Sequence, residues 1–247
     1  MRLGIKIVFA ASIALILLPG RAAFAAPPDK MDLKEVLRQL DDAAAKFHST
    51  SADVEFDTVQ TDPIYNKDID KGAVDYKRNG KAFQMAVHFR EEALGVEKDK
   101  PVKFKSVPKE LTYSGGKAML YEKLTNQVYV RDFTKYESYL LLGFGASGKE
   151  LADKWEIKYL GPETLTDGKA SVKTEKLELV AKDPDVRKMF PKVTIWVDPE
   201  RAVSLKQVLD EGQGQSRTCY YSNIKLNPTL SDSDFTFKTD SQTQYVK

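Results

Sequence analysis

Apolar and polar positions change period along this chain, and each change marks an element. Between Asp32 and Phe47, apolar residues recur at Leu33, Val36, Leu37, Leu40, Ala44 and Phe47, the spacing of a helix with one apolar stripe. Asp32 and Glu35 have the spacing of a capping box, which predicts that the helix starts there. From Ser51 the period drops to two: Ala52, Val54 and Phe56 alternate with Asp53, Glu55 and Asp57, as in a strand buried on one face. Asp70 to Phe89 then folds about Asn79-Gly80, read as the central pair of a type I′ hairpin turn. That turn sets Tyr76 opposite Phe83, Val74 opposite Met85, Gly72 opposite Val87 and Asp70 opposite Phe89 on a largely apolar face. Lys71, Ala73, Asp75 and Lys77, with Ala82, Gln84, Ala86 and His88, fall on a wet face.

Glu91 to Lys109 is charged and carries two prolines, which reads as an irregular insertion with at most a brief strand at Val102 to Lys105. Pairing resumes as a meander over Leu111 to Ser114, Ala118 to Lys123 and Gln127 to Phe133, turned at Gly115-Gly116 and near Thr125-Asn126. Tyr139 to Gly145 breaks the alternation with an apolar run, and Lys149 to Trp155 has helical character, so this part reads as a short helix and loop lying on the sheet. Strand patterns return at Glu156 to Leu160, Val172 to Lys182, Lys192 to Asp198, Val203 to Asp210, Ser216 to Leu226 and Phe235 to Lys238. The count is about eleven strands in neighbouring order, with few helices and no βαβ alternation, which predicts a mainly β, antiparallel fold.

The first 25 residues change the picture of where this fold resides. Arg2 and Lys6 precede an apolar core from Ile7 to Leu18 and a small-x-small site at Ala23-Phe24-Ala25, the pattern of a cleaved secretory signal. Residues 26–247 are then read as one exported, soluble domain with no membrane anchor. Cys219 is the single cysteine, so no intrachain disulfide can hold the core. Removing the leader takes away three of the 38 basic residues and none of the 36 acidic ones, leaving a formal charge of −1. So balanced a chain argues against nucleic acid as a partner.

Candidate chemistry is sparse. His48 and His88 are the only histidines, and neither has metal-ligand spacing to a second histidine or to the cysteine. His48 reads as a helix C-terminal residue, His88 as a solvated residue of the wet face, and Cys219 as a small core residue. No nucleophile elbow, phosphate loop or dinucleotide fingerprint occurs, so no enzyme, cofactor or metal is expected. Arg78 and Lys81 stand out because they flank the hairpin turn on the apolar face. Either they snorkel to water at the sheet rim, or a guanidinium at the mouth of an apolar concavity holds a polar head group or the carbonyls of a covering loop.

Taken in order, several segments resemble the periplasmic outer-membrane lipoprotein carrier (LolA-like) family. They are Tyr76-Lys77-Arg78, Ser114-Gly115-Gly116-Lys117 through Tyr121, Leu141-Leu142-Gly143-Phe144-Gly145, Ile195-Trp196-Val197-Asp198-Pro199, Tyr221 through Asn227 and Phe235-Thr236-Phe237. The sequence departs from the family pattern at Asn79, where proline usually follows the arginine, and lacks a Pro-Gly-containing tail. The resemblance implies an unclosed antiparallel half-barrel of about eleven strands, with an N-terminal helix and short lid helices over a hydrophobic cavity that receives acyl chains. It implies a monomeric shuttle that takes lipoproteins, or phospholipid, from an inner-membrane releasing complex to an outer-membrane acceptor. The alternative is a periplasmic lipid- or lipoprotein-sensing regulator of the same fold. On that reading the cavity wall comprises Phe56, Val74, Tyr76, Phe83, Met85, Val87, Val193 and Ile195, the lid Leu140, Leu141, Leu142 and Phe144, and the lid latch Arg78.

Overall fold

The computed structural model describes residues 32–246 apart from Lys81 and Lys98. The leader, the segment that follows it and the rim position of Lys81 lie outside the described residues. Helix α1, Leu33–Ala44, starts where the spacing placed it: Asp32 accepts from the Glu35 N–H at 2.8 Å. The Glu35 carboxylate does not complete the box, because Arg38 and Gln39 one turn on take it instead. The strands β1 (Ser49–Gln60), β2 (Asn66–Asn79), β3 (Ala82–Ala93), β4 (Lys105–Ser114), β5 (Lys117–Glu122) and β6 (Gln127–Asp132) follow as a meander. Two short helices, α2 (Glu137–Leu140) and α3 (Gly148–Lys154), interrupt it. A second meander comprises β7 (Trp155–Asp167), β8 (Ala170–Ala181), helix α4 (Pro184–Met189), β9 (Lys192–Asp198), β10 (Val203–Gly212) and β11 (Gln215–Leu226), and the chain closes with β12 (Gln244–Val246).

All twelve strands form one sheet in the order β12-β6-β5-β4-β3-β2-β1-β11-β10-β9-β8-β7. Every pairing is antiparallel except β12 with β6. The two meanders join through β1 and β11, while β7 and β12 remain edges, so the sheet is an unclosed half-barrel. It curls enough for the tip of the β7-β8 hairpin to reach across to β11, where the Ile224 N–H donates to Asp167 Oδ1 at 3.0 Å.

The hairpin of β2 and β3 keeps the expected faces but not the expected partners. Asn79 stays in the ladder opposite Ala82, and the left-handed residue is Gly80 (φ 61°). Tyr76 therefore faces Met85, Val74 faces Val87 and Gly72 faces Phe89. A slide of two residues preserves the side of every side chain, which is why the faces survive. At Gly72 the pairing slips by one, leaving Arg90 as a bulge. A Cβ at Gly72 would lie 2.2 Å from the His88 carbonyl oxygen, so only glycine admits that approach. Beyond the bulge the apolar stripe ends: Asp70 faces Glu92 instead of Phe89, and Lys109 binds both, at 3.3 and 2.6 Å.

Two more expectations change. The insertion after β3 is shorter than its charge suggested, since β3 runs to Ala93 and β4 begins at Lys105. Phe235 to Lys238 forms no strand: Asp232–Phe235 is a 3-10 turn, Phe235 is buried, and Phe237 stacks on Tyr121 at 5.1 Å. Their alternation anchors a C-terminal segment instead of a ladder. Lys77 pairs with Asp232 at 3.2 Å, so part of the wet face is covered by that segment.

Two apolar clusters fill the concave side. One joins Val36 and Leu40 of α1, Leu151 of α3 and Val186 of α4 to Leu177, Leu179, Val193 and Ile195 of β8 and β9. The other joins Phe47 to Ala52, Val54, Val74, Tyr76, Phe83, Met85, Val87 and Tyr113 of β1 to β4, with Phe144, Val203 and Leu205.

Candidate ligand-binding wall and its lid

The wall of the second cluster is aromatic at its centre. Tyr76 stacks on Phe83 (centroids 5.3 Å apart), and Phe83 on Tyr113 (4.8 Å). The same Tyr76 ring is met from above by Phe47 at 5.8 Å and Phe144 at 5.9 Å, leaving it fully buried. Two covering side chains therefore occupy the side of the wall that the sequence reading assigned to a cavity. Clefts of about 340 to 530 Å³ open on the described surface beside α3 and α4, beside α1, along β1 and β2, and after β3, and Val74, Tyr76, Phe83, Met85 and Val87 line none of these.

The cover over that wall is the segment after β6. Tyr139 of α2 is sunk in the first cluster against Trp155 and Phe190, its hydroxyl donating to the Val186 carbonyl at 2.6 Å. Leu142 follows it into that cluster, whereas Phe144 crosses to the second. Between them the strip Gly143-Phe144-Gly145 lies as a short antiparallel bridge on the start of β10. Ser204 N–H donates to the Gly143 carbonyl at 2.8 Å, and Gly145 N–H to the Ala202 carbonyl at 2.7 Å. Gly145 adopts φ 70°, and a Cβ there would enter the Phe47 ring at 2.4 Å, so the strip can lie this low only with glycine at that position.

Arg78 fastens this strip. Its side chain is 14% exposed; Nη1 donates to the Gly145 carbonyl, Nη2 binds the Glu150 carboxylate and Nε donates to the Gly80 carbonyl at 3.1 Å. Its two Nη atoms thus contact a backbone carbonyl and a carboxylate of the segment after β6. Glu150 belongs to a capping box at the start of α3, where Ser147 and Glu150 exchange hydrogen bonds. Burial pushes its carboxyl up, but Arg78 and then Ser147 outweigh that and hold it below the usual carboxylate range. A second fastening lies at the other end of the cover, where the Tyr113 hydroxyl donates to Glu137 of α2. Burial, then this hydrogen bond, push the Tyr113 hydroxyl well above its ordinary range.

The structure thus brings together Val74, Tyr76, Phe83, Met85 and Val87 with Phe144, with Leu140 and Leu141 half-buried against them and Arg78 at the rim. It does not place Val193, Ile195 or Leu142 there; they belong to the helix-covered cluster. Phe56 is half-buried outside both clusters, opposite Asp70 and Cys219. Sequence reasoning missed Phe47 and Tyr113 as wall neighbours, and Glu137 and Glu150 as anchors. The capping box Ser147-Gly148-Lys149-Glu150 was legible, but not that its carboxylate would reach a residue 72 positions away.

The histidines differ from expectation. His48 lies beyond α1, its N–H donating to Asn227 Oδ1 at 2.8 Å. His88 is half-buried, since the β3-β4 register sets it opposite Glu110: Nδ1 meets that carboxylate, and Nε2 lies 3.6 Å from Asp75. Cys219 is buried, and burial pushes its thiol up to about 12. Among the described residues no group of three or more His, Cys, Asp or Glu side chains could hold a metal ion, and no helix is long and apolar enough to cross a membrane.

Fold and site define a half-barrel whose apolar wall is covered by a pinned segment. No protein-family model matches the chain, and no curated protein matches it. Solved structures similar to it include an uncharacterized conserved protein from Thermus thermophilus, at 14% identity over 86% of this chain and 97% of that one, with a TM-score of 0.48. MucB of Pseudomonas aeruginosa, in complex with MucA, is similar at 11% identity over 84% of this chain and 62% of that one, with a TM-score of 0.42. A LolA superfamily protein from Nitrosomonas europaea is similar at 14% identity over 84% of this chain and 98% of that one, with a TM-score of 0.37.

Proposed function

We propose that this chain is a periplasmic carrier that shelters the acyl chains of lipoproteins or lipids on the β1-β4 wall and moves them from the inner to the outer membrane. The observation that carries this reading is the cover itself. An aromatic wall in a permanent core would be closed by packing alone, yet here the strip over it is held at its rim by Arg78 through one carbonyl and one carboxylate. Such a fastening can exchange for water at small net cost, whereas apolar burial cannot. The need for shelter is large: at about 0.8 kcal/mol per methylene, chains totalling ~40 methylenes would cost on the order of 30 kcal/mol in water. A bilayer already hides such chains, so a carrier has only to compete with a membrane. Self-filling by Phe47 and Phe144 supports unloading, because the vacated wall is covered again by the protein's own side chains.

The test is lipid extraction and mass spectrometry of the purified chain, followed by titration with a fluorescent fatty-acyl probe. Recovered lipid or saturable probe binding that Phe144→Trp weakens is the expected result. Absence of both lipid and uptake overturns the carrier. A chain that retains one protein partner and takes up no acyl probe would be a regulator instead. In transfer assays Arg78→Leu should load cargo and fail to release it to acceptor membranes, and normal release removes the latch role.

A further inference from the structure

Two polar groups beneath the cover have no hydrogen-bond partner among the described residues: the Tyr76 hydroxyl and Gln207 Nε2. Tyr76 is 0% and Gln207 5% exposed, so bulk solvent reaches neither side chain. A buried polar group left unpaired is costly, and structures retain few of them. Here two flank one strip. The Tyr76 ring lies 5.9 Å from that of Phe144, and Gln207 Nε2 lies 3.3 Å from where a Cβ on Gly143 would be. The Tyr76 hydroxyl is also near enough to Arg78 and Glu150 to feel their charges, yet no hydrogen bond joins it to either.

Both orphans can donate, one through O–H and one through N–H. A hydrocarbon guest would leave them as unsatisfied as Phe144 does, whereas a guest carrying acceptors at the head of its chains would satisfy both. We propose that Tyr76 and Gln207 receive the carbonyl oxygens of an acyl guest when Phe144 withdraws, so that this site selects ester-linked chains over plain alkyl chains. The inference rests on the carrier reading and narrows its ligand class.

The experiment compares two synthetic lipopeptides with the same peptide and chain length, one with diester-linked and one with diether-linked chains, by displacement of a fluorescent fatty-acyl probe from the full chain. The unaltered protein should bind the diester about tenfold more tightly, as expected for filling donors otherwise left unpaired. Tyr76→Phe should bring the two ligands within about twofold of each other, and Gln207→Met should narrow the preference in the same direction. The thermal midpoint of Tyr76→Phe should not fall, since an unpaired hydroxyl is lost. Equal binding of both ligands by the unaltered protein, or an undiminished preference in Tyr76→Phe, overturns this inference alone. Binding of neither ligand overturns the carrier reading with it.

Discussion

The two halves of the concave side hold the same kinds of side chain and are closed by different means. Over β8 and β9, three helices lay apolar stripes on Leu177, Leu179, Val193 and Ile195, and α1 is tied to α3 by the Lys149 N–H donating to Asp41 at 3.0 Å. Over β1 to β4, Phe47 and Phe144 provide much of the cover, and a guanidinium and a tyrosine hydroxyl hold the covering segment by its carboxylates. The first arrangement rests mainly on apolar contact. The second rests partly on polar groups, so on the carrier reading proposed above it opens while the rest remains folded. A single segment links them, with Tyr139 and Leu142 rooted in the durable half and Phe144 resting in the other.

The sharpest way to break this comparison is to truncate each half. Leu177→Ala, in a fully buried site, should cost about 2–5 kcal/mol in urea denaturation and leave acyl-probe binding alone. Phe144→Ala should cost less than the ~3–5 kcal/mol usual for a core phenylalanine, because its neighbours can close over the gap, and should raise probe uptake. If Phe144→Ala costs the full amount with no gain in uptake, the two halves are the same kind of core.

Removing the guanidinium comes next. Arg78→Leu leaves the Gly145 carbonyl and Glu150 without it, which should lower stability by about 1–3 kcal/mol. Hydrogen exchange should accelerate at the Gly145 and Ser204 amides, which hold the strip to β10, and not at Leu177 or Leu179. Acceleration spread over both halves would show that they open together.

Acid should produce a smaller version of that change. The folded protein holds Glu150 below its ordinary value of 4.5, so the fastening contributes fully above about pH 4.5 and is lost as the pH falls through the depressed folded value. The protection factor of the Gly145 amide should therefore fall in acid, and Glu150→Gln should remove most of that fall. The smallest effect is expected of Tyr113→Phe: loss of one hydrogen bond to Glu137, about 1 kcal/mol, with faster exchange in α2 while Gly145 keeps its protection.

The run of strands within each meander, the faces of the first hairpin and the position of Arg78 on its apolar side could be read from local pattern, whereas the seam of β1 with β11, which sets β6 and β7 far apart instead of side by side, could not. A period of two states which residues share a face, and that statement holds even though Asn79 stays in the ladder and the left-handed residue is Gly80. The same logic failed at Arg90, where one bulged residue ended the stripe, and at Phe235 and Phe237, whose alternation had no neighbouring strand to pair with. What alternation cannot state is what will lie against a face. That Phe144 and Phe47 cover Tyr76, that Val193 and Ile195 serve another cluster, that Arg78 meets Glu150 and that Tyr76 and Gln207 are left without partners all depend on contacts between distant parts of the chain. The sequence by itself determined the amphipathic strands, because backbone geometry fixes their period. Only the tertiary structure decided which half lies under helices and which under the strip that Arg78 contacts, because that choice lies in the docking of one segment across two apolar surfaces.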